Sequence, residues 1–176
     1  MPATAAKAAP ARPTANMRMS PAARQRLRDT ETVQYRYYND MGKNKGHCTW
    51  GIGVLAHHGV CTEEELGRVV SKAEVEAEFS RKVAECEGAV HRNIRVELTQ
   101  AQFDALVSFT YNTGATGASD TYALINENDF AGAAANMQQF VRVRVQTKKG
   151  WKKVIAGGLV KRRAEESAPF LNNEKK

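Results

Sequence analysis

The most informative stretch of this sequence spans residues 31 to 53 and reads ETVQYRYYNDMGKNKGHCTWGIG. Its aromatic and β-branched residues are separated by Asn, Asp and Gly, a pattern typical of short strands joined by turns. We therefore predict a small antiparallel sheet in this part of the chain. Four of the five prolines lie before residue 22 and the fifth is Pro169, so long helices are permitted between them. The sequence indicates an α+β fold.

Helices are predicted on both sides of this sheet. Ser20-Pro21 is a typical helix start, and we expect a helix from about Pro21 to Glu31. Capping boxes predict three further starts, at Thr62 with Glu65, Ser71 with Glu74, and Thr99 with Gln102. Apolar residues at helical spacing follow the last two and are assigned to the core: Val75, Phe79 and Val83, then Phe103, Leu106, Val107 and Tyr111.

Composition excludes several classes of protein. The chain has 176 residues, 42% of them hydrophobic and 26% charged, as in an ordinary globular protein. No window approaches the roughly 18 apolar residues of a membrane-spanning helix, so we expect no membrane insertion. Three cysteines are too few for a disulfide-dense scaffold.

Charge is segregated along the chain. Residues 1–28 carry six basic and no acidic side chains, residues 29–129 carry 9 basic and 16 acidic, and residues 130–164 carry 9 basic and none acidic. Residues 1–17 are rich in Ala and Pro and are predicted to be a disordered basic arm without an export signal. Residues 18–176 are predicted to form a single domain. The basic blocks favour an anionic partner, although a solvated surface is the simpler explanation.

Three residues near the predicted sheet could perform acid–base chemistry. Glu31 ends the first helix, Asp40 lies at a turn, and Thr49 begins a strand-like segment. A protonated carboxylic acid, an ionised carboxylate and a hydroxyl that holds water are the groups that glycosidic-bond hydrolysis requires. On residue types alone, ordinary surface turn residues would be the better explanation, because a Glu, an Asp and a Thr within twenty residues occur in most soluble proteins.

Four motifs in one order strengthen the catalytic interpretation. They are Glu31 with Tyr38-Asn-Asp40 and Thr49-Trp-Gly-Ile-Gly53, then residues 102–114, Phe130-Ala-Gly-Ala-Ala, and residues 158–166. In these motifs the chain resembles the phage-type lysozymes of glycoside hydrolase family 24, over about residues 20–172. The resemblance implies a lysozyme-like fold with a small antiparallel β-lobe and a mainly helical C-terminal lobe.

The resemblance also implies roles for individual residues. Glu31 would be the general acid, Asp40 the base or charge stabiliser, and Thr49 the residue that positions water. It further implies a substrate-binding or acid-pairing role for Asn112, Arg162 and Arg163, one of these arginines pairing with Glu31. The chain departs from the family in having eight residues between Asp40 and Thr49 where about five are usual, and in having Val54 where His is common.

The cysteines and histidines near the sheet leave two questions open. His47, Cys48, His57, His58 and Cys61 include metal-binding residue types but lack the regular spacing of zinc sites, so we expect no metal and no cofactor. Cys48 and Cys61 could form a disulfide bond or remain two buried thiols. The glycines of residues 112–117 lack the Gly-Lys-Ser/Thr of a phosphate loop and indicate a helix C-terminal turn instead.

The resemblance predicts a muramidase that cleaves the β-1,4 bond between N-acetylmuramic acid and N-acetylglucosamine and lyses bacterial cell walls, most simply a phage endolysin. The alternatives are a lytic transglycosylase, a secreted antibacterial muramidase and a non-catalytic wall-binding module. A nucleic-acid binder is disfavoured because the basic blocks lack interleaved aromatics. We expect a monomer that stays in the host cytoplasm until it reaches peptidoglycan, and whose basic arm contacts anionic envelope polymers.

Overall fold

The computed structural model describes residues 13–147 and 150–172, and it divides into two compact units. One unit comprises Pro21–Glu85, and the other combines the chain up to Ser20 with the chain from Cys86 onward. Helices and small antiparallel sheets together make an α+β fold, as predicted. None of the helices in the described ranges is long and apolar enough to span a membrane.

The first unit contains the predicted three-stranded sheet, in which each strand pairs antiparallel with the next. Tyr38 lies opposite Thr49, Asn39 opposite Cys48, and Cys48 opposite His57 in the register of the strands. The elements are α1 (Pro21–Thr30), β1 (Gln34–Asn39), β2 (Cys48–Gly51), β3 (Val54–His57), α2 (Glu63–Leu66) and the beginning of α3 (Lys72–Asn93).

The capping boxes form as predicted. Thr62 and Glu65 exchange hydrogen bonds with each other's backbone N–H groups at the start of α2. The same reciprocal pattern occurs between Ser71 and Glu74 at α3. Residues at four-residue spacing along α3 are buried as predicted, namely Val75, Phe79 and Val83.

The second unit is mainly helical. Its apolar core includes most of the stripe predicted along α4 (Gln100–Gly117): Phe103, Leu106 and Val107 are fully buried, whereas Tyr111 is half-buried. The Thr99 capping box begins α4, and the chain leaves helical geometry at Gly114, with φ of +75°, before one last turn. The elements that follow α3 are α4 (Gln100–Gly117), α5 (Ser119–Asn126), α6 (Phe130–Gln138), β4 (Arg142–Thr147), β5 (Gly150–Ile155) and α7 (Gly157–Leu171).

The β4–β5 hairpin was not predicted from the sequence, which indicated a mainly helical C-terminal lobe. The two strands pair antiparallel from Arg142 opposite Ile155 to Thr147 opposite Gly150. Alternating Arg and Val at residues 142–145 is a period-two pattern, and Gly150 adopts φ of +108° at the start of β5. The hairpin is therefore an addition to the predicted helical lobe.

The chain ahead of α1 packs into the second unit. Thr14 is fully buried, the Met19 backbone N–H donates to Glu87 at 2.7 Å, and both the N–H and hydroxyl of Ser20 donate to Asp104 at 2.8 and 2.6 Å. Residues 1–12 of the predicted arm lie outside the described residues. The order that the sequence indicates from Ser20 onward thus includes residues 13–20 as well.

Candidate active site

Glu31 is positioned by the end of α1, which is attached to α3. The Glu31 N–H donates to the Arg28 carbonyl at 3.3 Å, and its side chain is half-buried. Arg28 Nε and Nη2 donate to the Glu76 carboxylate of α3 at 2.8 and 2.5 Å, and this hydrogen-bonded ion pair lowers the pKa of Glu76. The guanidinium of Arg28 also lies 5.8 Å from the centre of the Phe79 ring. The end of α1, from which Glu31 follows, is thus attached to α3 through Arg28.

Asp40 closes the lengthened loop that joins β1 to β2. Its backbone N–H donates to the His47 carbonyl at 3.1 Å, and its Oδ1 accepts the His47 N–H at 2.7 Å. Among the described residues, none donates a hydrogen bond to Oδ2 of Asp40, and the side chain is exposed. The extra residues of the loop therefore form a closed turn that holds one carboxylate oxygen and leaves the other toward solvent.

Thr49 is linked to Asp40 through the backbone of His47. The Thr49 hydroxyl donates to the His47 carbonyl at 3.2 Å, which is the oxygen that also accepts the Asp40 N–H. The side chain of Thr49 is buried in β2. Because the hydroxyl hydrogen is used in this bond, the Thr49 oxygen is left to accept a hydrogen from another donor such as water.

Gly46 allows Asp40 to occupy this position. Its φ is +82°, a left-handed conformation that favours glycine, and a Cβ at this position would collide with Oδ1 of Asp40 and with the side chain of Met41. Gly42 in the same loop also has a positive φ, +96°, but a Cβ there would meet no atom within 4 Å. Both positions therefore favour glycine because of their backbone conformation, but only at Gly46 does the missing side chain also leave room for Asp40.

Tyr38 shows that the Asp40 charge acts on its neighbours. Burial raises the pKa of the Tyr38 phenol, and the negative charge of Asp40 raises it further, while the Gly53 N–H opposes the rise. The phenol is therefore kept neutral next to the carboxylate. Tyr37, one residue earlier, stacks against Trp50 with ring centroids 6.3 Å apart.

Cys48 and Cys61 are joined by a disulfide bond, which answers the question that the sequence left open. The two sulfurs and the Glu65 carboxylate lie within 4.8 Å of one another, but both sulfurs are engaged in the bond. His57 places Nδ1 against the His58 carbonyl at 3.0 Å and Nε2 against Glu65 at 2.9 Å. Both contacts favour the charged imidazole and raise the pKa of His57.

Arg162, Arg163 and Asn112 lie close together in the second unit. Arg163 is buried, contacts Asn112 Oδ1 and Glu166, and donates from Nε to the Phe140 carbonyl at 3.1 Å. Arg162 Nε donates to Glu166 at 2.9 Å. Desolvation lowers the pKa of Arg163, and the charge of Glu166 opposes this. Pairing of either arginine with Glu31 stays a prediction.

Sequence reasoning missed three residues of these arrangements. His47 was considered only as a metal-binding candidate, whereas its backbone connects Asp40 to Thr49. Gly46 gave no signal beyond its occurrence in a turn. Glu166 could have been found, because residues three and four positions after two arginines face them on a helix.

Comparison with known proteins gives consistent matches. The family model described as phage lysozyme matches residues 28–166. An endolysin of Bacillus phage B103 is 32% identical over 162 residues, which are 91% of this chain, and the chain spans 56% of that endolysin.

Two solved structures are similar to the present fold. An endolysin from Escherichia coli O157:H7 phage FAHEc1 has a TM-score of 0.69 at 29% identity, covering 92% of this chain and 98% of that one. The muramidase domain of SpmX from Asticaccaulis excentricus has a TM-score of 0.66 at 25% identity, covering 88% of this chain and 98% of that one.

Proposed function

Because the chain belongs to the phage lysozyme family, we propose that it is an endolysin that hydrolyses the β-1,4 bond between N-acetylmuramic acid and N-acetylglucosamine in bacterial peptidoglycan. The observation that carries this proposal is the link, through the backbone of His47, between Asp40 at the end of β1 and Thr49 in β2, on the chain that follows Glu31. Two carboxylates and a hydroxyl that can accept a hydrogen from water meet the requirements of glycoside hydrolysis.

In the proposed mechanism, Glu31 protonates the glycosidic oxygen as the bond to the leaving sugar breaks. Asp40 stabilises the positive charge that develops on the other sugar or takes a proton from the attacking water. The free Oδ2 of Asp40 suits both roles, because Oδ1 is held by the His47 N–H. Thr49 accepts a hydrogen of the water and thereby orients it, since the Thr49 hydroxyl hydrogen is bonded to the His47 carbonyl.

Product analysis tests the reaction class. Purified peptidoglycan is digested to completion and the released muropeptides are measured by mass spectrometry. We expect products with reducing N-acetylmuramic acid ends, because water enters the bond. Anhydro products, lighter by one water, would identify a lytic transglycosylase, and intact peptidoglycan would identify a wall-binding module.

The first testable prediction concerns Glu31. Glu31→Gln keeps the shape of the side chain but removes the proton that it donates, so wall clearing should fall by about 10²–10⁴-fold. Turbidity of a cell-wall suspension measures the rate. Glu63→Gln, at an exposed acid in the first turn of α2, is the matched control and should clear walls at the wild-type rate. Clearing by Glu31→Gln within tenfold of the wild type would remove Glu31 from the acid role.

The proposed setting of the enzyme follows from its substrate and charge. We propose a monomer that accumulates in the host cytoplasm and acts when it gains access to peptidoglycan. The basic residues of the arm, Lys7 and Arg12, are proposed to attract anionic polymers of the envelope. Their contribution is separable from catalysis, because Glu31, Asp40 and Thr49 lie outside residues 1–17.

A further inference from the structure

The β4–β5 hairpin carries a strong positive charge. Residues 142–155 contain six basic side chains and no acidic one, and no acidic residue occurs anywhere from 130 to 164. Arg142, Arg144, Lys152 and Lys153 are all exposed. No acidic side chain nearby in the sequence therefore neutralises the positive charge of the hairpin.

One face of the hairpin combines three of these cations, Arg142, Arg144 and Lys153, with exposed apolar side chains, whereas Lys152 lies on the opposite face. Arg142 pairs with Ile155 and Arg144 with Lys153 in the register, and residues that alternate along a strand share a face, so Trp151 lies on this same face. The Arg144 guanidinium lies 5.7 Å from the centre of the Trp151 ring, as expected for neighbours on one face. Trp151 is 53% exposed and Ile155 61% exposed.

The combination of side chains identifies the kind of partner. Tryptophan prefers the boundary between the headgroups and the acyl chains of a bilayer, and arginine and lysine near it bind anionic headgroups. A soluble polyanion would neutralise the cations but would leave Trp151 and Ile155 in water. An anionic bilayer surface satisfies both the charge and the apolar surface.

We propose that this face of the β4–β5 hairpin is a docking surface for an anionic phospholipid bilayer. Docking places Trp151 and Ile155 at the level of the headgroups and places Arg142, Arg144 and Lys153 against lipid phosphates. None of the proposed catalytic residues belongs to this surface, so docking holds the enzyme at a membrane without supplying a group for hydrolysis.

Vesicle sedimentation tests the proposal. The full-length protein is mixed with large unilamellar vesicles of phosphatidylcholine with or without phosphatidylglycerol at low salt, and the bound fraction is measured in the pellet. We expect binding to the anionic vesicles alone, weakened at least tenfold by Trp151→Ala and by the pair Arg142→Glu with Lys153→Glu, both on the docking face. The matched control reverses two exposed lysines outside the hairpin, Lys72 and Lys161, and should retain binding.

Tryptophan fluorescence reports the position of the hairpin directly. The chain has two tryptophans, so a Trp50→Phe background leaves Trp151 as the sole emitter. Its emission should shift to shorter wavelength on addition of anionic vesicles and stay unchanged with phosphatidylcholine alone. Hydrolysis of soluble oligosaccharides by the hairpin variants should match the wild type, which separates failure of docking from failure of the proposed enzyme.

Three results would overturn the proposal. The first is absence of binding to anionic vesicles at low salt. The second is equal loss of binding in the hairpin pair and in the control pair, which would mean that net charge alone is sensed. The third is tight binding to soluble dextran sulfate that Trp151→Ala does not weaken, together with a Trp151 emission that anionic vesicles do not shift. That result would make the partner a soluble polyanion.

Discussion

A side chain at position 46 would occupy the space of the Asp40 carboxylate, and this makes Gly46→Ala an informative substitution. The added Cβ collides with Oδ1 of Asp40 and displaces the proposed base from the His47 N–H. A displacement of about 1 Å in a catalytic group can cost about 10²-fold in rate, and we expect a loss of that order in wall clearing. The left-handed backbone adds about 1–2 kcal/mol of destabilisation.

Gly42→Ala is the control for this prediction. Gly42 has a similarly positive φ, but an added Cβ meets nothing, so the substitution carries the backbone cost without the collision. Thermal unfolding should show destabilisation of both variants, larger for Gly46→Ala because of the added collision, whereas wall clearing should fall only for Gly46→Ala. Equal activity of the two variants would show that the position of Asp40 is unimportant for hydrolysis.

The contacts of His57 predict a pH-dependent contribution to stability. The His58 carbonyl and, to a smaller degree, Glu65 raise the pKa of His57 above its ordinary value of 6.5. A raised pKa means that this contribution is complete below the unfolded-state pKa and is lost as the pH rises through the folded-state pKa. Glu65 has a lowered pKa, so its contribution is lost instead as the pH falls below its ordinary value of 4.5.

NMR titration of the His57 imidazole measures this effect. The wild-type midpoint should lie above 6.5, and Glu65→Gln should lower it while leaving the His58 contribution in place. Glu64→Gln, at the exposed neighbouring position, should leave the midpoint unchanged. A wild-type midpoint at or below 6.5 would contradict the two hydrogen bonds.

At the level of elements, Glu166 joins α4 to α7 through a buried ionic cluster. It accepts hydrogen bonds from Arg162, from the buried Arg163 and from the hydroxyl of Ser108, the last at 2.6 Å. Glu166→Gln removes the charge that compensates Arg163, and breaking a buried ion pair on one side typically costs about 3–5 kcal/mol. We expect a loss of that size in the free energy of unfolding in urea.

Glu165→Gln is the adjacent control. Its side chain is 65% exposed and pairs with Lys161 at 3.9 Å on the surface of the same helix. Exposed pairs of this kind contribute about 0–1 kcal/mol, so the control should unfold at nearly the wild-type urea concentration. Equal destabilisation by the two substitutions would mean that the cluster does not hold α4 and α7 together.

Elements whose signals are local were predictable from the sequence, whereas those fixed by distant contacts were not. The capping boxes at Thr62, Ser71 and Thr99 depend on residues three positions apart, and all three form. Hairpin β4–β5 was missed because its turn contains no strong hairpin dipeptide and its strands carry charge on both sides.

The same distinction applies to the candidate site. Glu31, Asp40 and Thr49 were selected through the resemblance to a family, since a Glu, an Asp and a Thr within twenty residues carry little information alone. The connection between Asp40 and Thr49 runs through the backbone of His47, which depends on the loop conformation and not on the residue type. No sequence pattern could have indicated it.

At the scale of the whole molecule, the basic arm is predicted to act on intact walls and not on the chemical step. Deleting residues 1–12 keeps Thr14 and the other packed residues ahead of α1. Hydrolysis of soluble oligosaccharides should be unchanged, and clearing of intact walls at low salt should slow. The difference should shrink as salt rises, because the Debye length falls to about 8 Å at physiological ionic strength.

A full-length variant tests whether the effect of the arm on wall clearing depends on its charge or on its length. Lys7→Ser with Arg12→Ser keeps the arm but removes its side-chain charge, and it should behave like the deletion. Wall clearing equal to the wild type in both variants at low salt would show that the arm makes no contribution. Slower clearing in the deletion alone would assign the effect to the length of the arm.

The bonds that hold the chain ahead of α1 have a consequence for the order in which the protein is assembled. The acceptors for the Met19 and Ser20 N–H groups, Glu87 and Asp104, lie 68 and 84 residues further along. On a ribosome, residues 21–85 emerge as one continuous segment, and their unit can fold while synthesis continues. The second unit combines residues up to Ser20 with residues from Cys86 onward, so it can fold only after the latter are synthesised, and its N-terminal portion is made before the first unit but anchored after it.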